Sequence, residues 1–142
     1  MIYSIDYEEA PQQKDIEVLG KGISLNAKQK SGLDPVVPFA FFIRDEGKEI
    51  KGGCNGNIGY GWLYVDQLWV DESLRNKGYG TKLMKSAEKL ALEKKCIAAA
   101  VNTASWEALD FYKKLGYRVE LERTLAQGLI FYFLRKEFEY KE

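Results

Sequence analysis

The chain has 142 residues, 46% of them hydrophobic and 13% aromatic, which suits one compact domain over residues 1–142 with a full core. Lys plus Arg and Asp plus Glu number 21 each, so the net charge is zero and no global field draws the chain to nucleic acid or to an anionic membrane. There is no histidine, which removes His-based triads and most zinc sites, and Cys54 and Cys96 fit neither a disulfide framework nor a CxxC metal site.

The opening "MIYSIDYEEA" has neither the basic start nor the apolar run of a signal peptide, and no window approaches the length of a membrane span. A reduced, cytoplasmic protein is expected, with each cysteine a small buried apolar residue. Residues 11–32 begin with Pro11 and carry Ile16, Leu19, Ile23 and Leu25 at near-helical spacing. This predicts a helix and a short second turn, interrupted by Gly20 and Gly22. The β-branched and aromatic "VVPFAFFIRD" predicts a strand, and "EGKE" a hairpin turn into a second strand through Cys54. "GGCNGNIGYG" (52–61) is so rich in turn residues that a bulge or wide loop is expected there.

"WLYVDQLWV" (62–70) reads as a third strand. Strict alternation puts Trp62, Tyr64, Asp66, Leu68 and Val70 on one face and Leu63, Val65, Gln67 and Trp69 on the other. The clearest helix runs from Tyr79 to about Lys95, with Leu83, Met84, Ala87, Leu90 and Ala91 in one apolar stripe. "CIAAAVNT" (96–103) reads as a buried strand. "SWEALDFYKKLGY" then reads as a helix, with Ser105 a natural N-cap and Gly116 a natural stop. Two strands, about 117–124 and 129–138, complete an α+β order of α, β, β, β, α, β, α, β, β.

The chemistry concentrates in "LWVDESLRNKGYGTKLM" (68–84), where a strand runs through a polar connection into a helix. A helix N-terminus presents unpaired N–H groups and partial positive charge, which attract phosphate oxygens. Gly78 and Gly80 let the backbone curl and approach a ligand, and Arg75 and Lys77 add positive charge. The dinucleotide fingerprint fails because Leu83 stands where its third glycine belongs. The P-loop fails because Gly80, Thr81 and Lys82 are in another order. A strand-to-helix turn with solvated cations is the competing reading of the same fragment.

A second motif follows in "ALDFYKKLGY". With both in place the chain resembles the GNAT superfamily of N-acetyltransferases. The family's cofactor loop, Arg/Gln-x-x-Gly-x-Gly/Ala, is matched by Arg75, Gly78 and Gly80. Its later helix signature, Ala-x-x-x-Tyr-x-x-x-Gly-Tyr/Phe, is matched by Ala108, Tyr112, Gly116 and Tyr117. The resemblance covers roughly residue 39 to the C-terminus. It implies a mixed, mostly antiparallel sheet flanked by helices on both faces, and acetyl-CoA as the acyl donor. By the same resemblance the pyrophosphate rests on the amides of Asn76, Lys77, Gly78, Tyr79, Gly80 and Thr81, beside Arg75. The pantetheine arm runs along the strand ending at Val70, and the acetyl carbonyl meets a backbone N–H near Leu68 or Trp69. Asn102 and Ser105 flank the arm, although many family members have Asn where Ser105 stands.

The resemblance also gives Tyr112 the role of general acid; packing against Trp106, Leu109, Phe111 and Leu115 is the alternative. Asp66 is the candidate base or cation-holding group, or else a solvated strand residue, and Tyr64 is a second lining candidate. An acceptor pocket is expected from the N-terminal helical region, the 52–61 segment and the last two strands, with Tyr60, Trp62, Tyr64, Phe131 and Tyr132 as candidate walls. The expected acceptor is a small-molecule or exposed protein amine. A catalytically silent acyl-CoA-binding module is the rival reading, a nucleic-acid module a distant third. A homodimer through the C-terminal strands is a further expectation from the resemblance.

Overall fold

A computed structural model describes residues 1–104, 106 and 108–140. They fall into two compact units, Met1–Pro35 and Val36–Glu142. In the first, α1 (Gln13–Ser31) is one continuous 19-residue helix that runs through both Gly20 and Gly22. The predicted interruption does not occur. Each glycine costs about 1 kcal/mol relative to alanine, which weakens a helix without ending it. What ends it is Gly32, whose φ of 74° lets its N–H close on the Lys28 carbonyl at 2.9 Å.

The second unit is built on a six-stranded sheet in the order β1-β2-β3-β4-β6-β5. Its strands are β1 (Val37–Arg44), β2 (Ile50–Gly59), β3 (Trp62–Val70), β4 (Ala98–Ala104), β5 (Arg118–Thr124) and β6 (Ile130–Glu137). Every neighbouring pair is antiparallel except β3 with β4, so the sheet is mixed and mostly antiparallel. The helices α2 (Tyr79–Glu93) and α3 (Leu109–Lys114) follow β3 and β4, and the order of elements is the predicted one.

Residues 52–59 are no loop: paired with β1 and β3 they form most of β2, and Tyr60 and Gly61 make the turn into β3. Two of the β2 glycines meet neighbouring backbone too closely for any side chain. A Cβ on Gly53 would lie 2.6 Å from the Phe41 carbonyl oxygen, and one on Gly56 only 1.7 Å from that of Tyr64. The expected bulge is present: Asn55 pairs with Gln67 but Gly56 with Val65, leaving Asp66 as the extra residue on β3. Strict alternation on β3 therefore fails at its centre. Leu63 and Val65 are buried, and Leu68 and Val70 pack against the same core, whereas Asp66 and Gln67 are both exposed.

The core joins α2 to one face of the sheet through Leu83, Met84, Ala87 and Ala91, against Cys54, Leu63, Val65 and Val101. Tyr112 and Tyr117 from α3 and its exit belong to the same cluster. Leu63, Met84, Val101 and Leu134 are fully buried, each worth about 1.5–3 kcal/mol of transfer free energy. Among the described residues no helix is long and apolar enough to cross a membrane.

Candidate functional site

The parallel β3–β4 ladder runs only from Trp62↔Ala98 to Val65↔Val101. Beyond it β3 stays paired with β2 as far as Val70, and β4 stays paired with β6 as far as Ala104. The two strands thus part at the bulge, and the edge of β3 from 66 to 70 opens onto a gap. An extended ligand can pair with such an edge as an added strand.

The chain then turns into α2 through a loop held by its own residues. Asp71 accepts hydrogen bonds from the Ser73 N–H, at 3.0 Å, and from the Ser73 hydroxyl. These bonds, the hydroxyl's foremost, lower the Asp71 pKa from the ordinary carboxylate range. The Arg75 Nε donates to the Val70 carbonyl at 3.1 Å, tying the loop to the strand end. Asn76 and Gly78 take φ values of 62° and 83°, in the left-handed region that brings the backbone around to start the helix. Helical bonding begins with the Lys82 N–H on the Gly78 carbonyl at 3.1 Å, so the preceding amides have no partner within the helix.

A cavity of about 710 Å3 lies against this corner. Nine sequence-predicted residues line it: Leu68, Trp69 and Val70 from β3, with Arg75, Asn76, Gly78, Tyr79, Gly80 and Thr81 from the loop and first helical turn. Lys77 is on the same loop but off the wall, and Asn102, exposed on β4 opposite Phe133, does not reach it. Ser105 lies outside the described residues.

Sequence reasoning missed Leu74, Trp106, Ala108 and Phe111, which complete the wall. Phe111 could have been found from Gly80: a Cβ there would stand 3.3 Å from the Phe111 ring. Gly80 thus serves the approach of α3 to α2 as well as that of a ligand. The features required of a phosphate-and-arm ligand are present together: free helix-start amides, a cation and an open strand edge.

Tyr112 does not line this cavity. It is 5% exposed, with its ring edge-on to Phe111 at 5.2 Å and to Tyr117 at 5.9 Å. Burial, with a smaller contribution from Cys54, pushes its phenol up to about 12. It touches two residues of the wall, packing against the Phe111 ring and donating its N–H to the Ala108 carbonyl at 3.0 Å. Burial also pushes the Cys54 thiol up to about 11 and raises Cys96, so neither is a ready nucleophile. Asp66, expected to share a face with Leu68, is turned away from it by the bulge.

The candidate acceptor walls Tyr60, Trp62, Tyr64, Phe131 and Tyr132 line neither this cavity nor a second one on the sheet. Trp62 instead stacks on Tyr64 at 6.1 Å and lies under the Arg135 guanidinium at 4.8 Å. The second cavity, also about 710 Å3, is built from β1, β2 and β3 alone.

The model of the acetyltransferase (GNAT) family matches residues 3–117. A blasticidin-S acetyltransferase of Streptomyces morookaense is 38% identical over 86 residues, covering 60% of this chain and 63% of its own. The match thus spans less than two thirds of that relative. An acetyltransferase of Agrobacterium fabrum is 33% identical over 97 residues, covering 68% of this chain and 71% of its own. The crystal structure of an acetyltransferase from Bacillus cereus superposes with a TM-score of 0.74 at 28% identity, covering 94% of this chain and 98% of the other.

Proposed function

Because the chain belongs to the acetyltransferase (GNAT) family, we propose that it transfers an acetyl group from acetyl-CoA to the amine of a small molecule. The relatives support the acceptor class, one being named for blasticidin S and others for thialysine. The observation that carries the reading is the cavity where the free amides starting α2 meet the unpaired edge of β3. Acetyl-CoA supplies the acyl group, which leaves its thioester for the acceptor nitrogen as the CoA thiolate departs.

In this reading the amides of Gly78 to Thr81 hold the pyrophosphate, with Arg75 beside them. The β3 edge aligns the arm, and a backbone N–H at Leu68 or Trp69 donates to the thioester carbonyl. That bond strengthens as the oxygen gains charge, which is what lowers the barrier. Tyr112 gives its proton to the departing thiolate and is made neutral again by the second proton that the acylated nitrogen sheds, while the first leaves the acceptor ammonium. Asp66, which the bulge turns to solvent and away from the Leu68 face, takes the proton of the acceptor ammonium through water.

The position of Tyr112 behind the cavity wall favours a second reading, a module that binds acyl-CoA without turnover. The test of the first step is common to both. Calorimetric titration with acetyl-CoA and with CoA should give binding of both in the micromolar range. No binding at millimolar ligand would reduce "RNKGYG" to a turn. Thiol release on adding amines then separates enzyme from silent module.

A further inference from the structure

The second cavity shares one wall with the first: Trp69 lines both, while its neighbours Gln67 and Leu68 line one each. In the register of the sheet, Phe42, Gly53 and Trp69 form one cross-strand row and Ala40, Asn55 and Gln67 the next. The first row is large, small, large. Two strand spacings put the Phe42 and Trp69 backbones about 10 Å apart, which is the room one flat ring needs between two aromatic neighbours at about 5 Å each.

Gly53 puts no side chain between them, and the Phe42 ring leans over it: a Cβ there would stand 3.0 Å from that ring. Phe42 and Trp69 are 53% and 50% exposed, a pair of large apolar surfaces on one patch with two amides beside them. None of the twelve lining residues carries a charge at neutral pH, and the one cation recorded against them is the Arg44 guanidinium, 5.2 Å from the Phe42 ring.

We propose that this cavity binds the acceptor through a flat, uncharged aromatic or heteroaromatic ring held between Phe42 and Trp69. The Asn55 and Gln67 amides read the polar edge of the ring, and the amine passes Trp69 toward the acyl group. A polycation finds no carboxylate on this wall to replace its lost hydration, so polyamines are poor acceptors. The proposal rests on the acetyl-transfer reading but is separable from it.

The experiment uses the intact chain and three probes: aminomethyl-benzimidazole, hexylamine and spermidine. Calorimetry first measures aminomethyl-benzimidazole binding with and without CoA, and acetyl-CoA binding is titrated separately. Stacking on one aromatic wall predicts a loss of about tenfold in ring-amine affinity for Phe42→Ala. Acetyl-CoA affinity, which Phe42 does not touch, reports that the variant is folded. Thiol release should then favour aminomethyl-benzimidazole over hexylamine and spermidine by at least about tenfold in kcat/KM. Equal or better turnover of spermidine or hexylamine, no ring-amine binding at millimolar concentration, or an unchanged Phe42→Ala variant would each overturn the proposal. Loss of acetyl-CoA binding in the wild type would instead overturn the parent reading, with ring-amine calorimetry still deciding this one.

Discussion

Tyr112 carries the strongest chemical expectation at a single position, and its environment gives that expectation a direction. Burial disfavours the phenolate, so the folded-state pKa of about 12 lies above the ordinary value near 10. The group is therefore a neutral donor through the neutral and mildly alkaline range. Its stabilising contribution is complete below about pH 10 and is lost as pH rises toward its folded value. As the acid it should give kcat/KM that climbs with pH as the acceptor amine deprotonates, with no descending limb below about pH 10. A descending limb centred near pH 8 would assign the proton to another group. Tyr112→Phe should lower turnover about a hundredfold or more while leaving acetyl-CoA affinity unchanged, and equal turnover would remove Tyr112 from the role. The residue types of this site were legible in the sequence, since Arg75, Gly78 and Gly80 stand on one wall as their motif implies. The direction of Asp66 was not. Its orientation is decided by the register with the partner strand, which shifts between Asn55 and Gly56 and leaves Asp66 as the extra residue, at a point where only glycine admits the Tyr64 carbonyl.

Between elements, the fixed point of the second unit is Glu88 on α2. Its carboxylate accepts a hydrogen bond of 2.7 Å from the Tyr117 hydroxyl and one of 2.9 Å from the Lys136 ammonium on β6. Lys136 also stands 5.7 Å from the Tyr117 ring, and Tyr117 in turn packs edge-on against Tyr112. One acidic side chain thus ties the cofactor-side helix to the exit of α3 and to the sheet. The Glu88 side chain is only 14% exposed, so solvent screens these bonds weakly. Glu88→Ala leaves a buried hydroxyl and a mostly buried ammonium without their acceptor, and should cost about 2–3 kcal/mol in a denaturant melt. Pairing it with Lys136→Met should recover part of that loss; a double variant as unstable as the sum would show that the two residues act separately. No periodicity announces this network, because its members come from three elements whose spacing in sequence carries no local pattern. The elements themselves were legible wherever an apolar stripe or a glycine stop marked them, as with Leu83, Met84 and Ala87 on α2 and Gly116, at φ 98°, after α3.

At the scale of the whole second unit, the sheet is incomplete where β3 and β4 part. Backbone groups on the 66–70 edge have no ladder partner from β4, and hydrogen-bonding groups left to water are the first to open locally. A ligand that pairs with this edge while its phosphates sit on the start of α2 would connect two halves of the sheet that otherwise meet only from Trp62 to Val65. Ligand binding to the folded state alone stabilises by about 2.7 kcal/mol at a hundred times Kd, so acetyl-CoA should raise the melting temperature in a concentration-dependent way. Hydrogen exchange distinguishes how the stabilisation arises. Slowed exchange both at 66–70 and at 78–81 means that the arm completes the sheet and the helix start holds the phosphates. Slowing at 78–81 alone means that the ligand is held by its phosphates, with the arm free. In that case the β3 edge is not what aligns the thioester, and the alignment on which direct transfer depends must come from the acceptor side of the sheet.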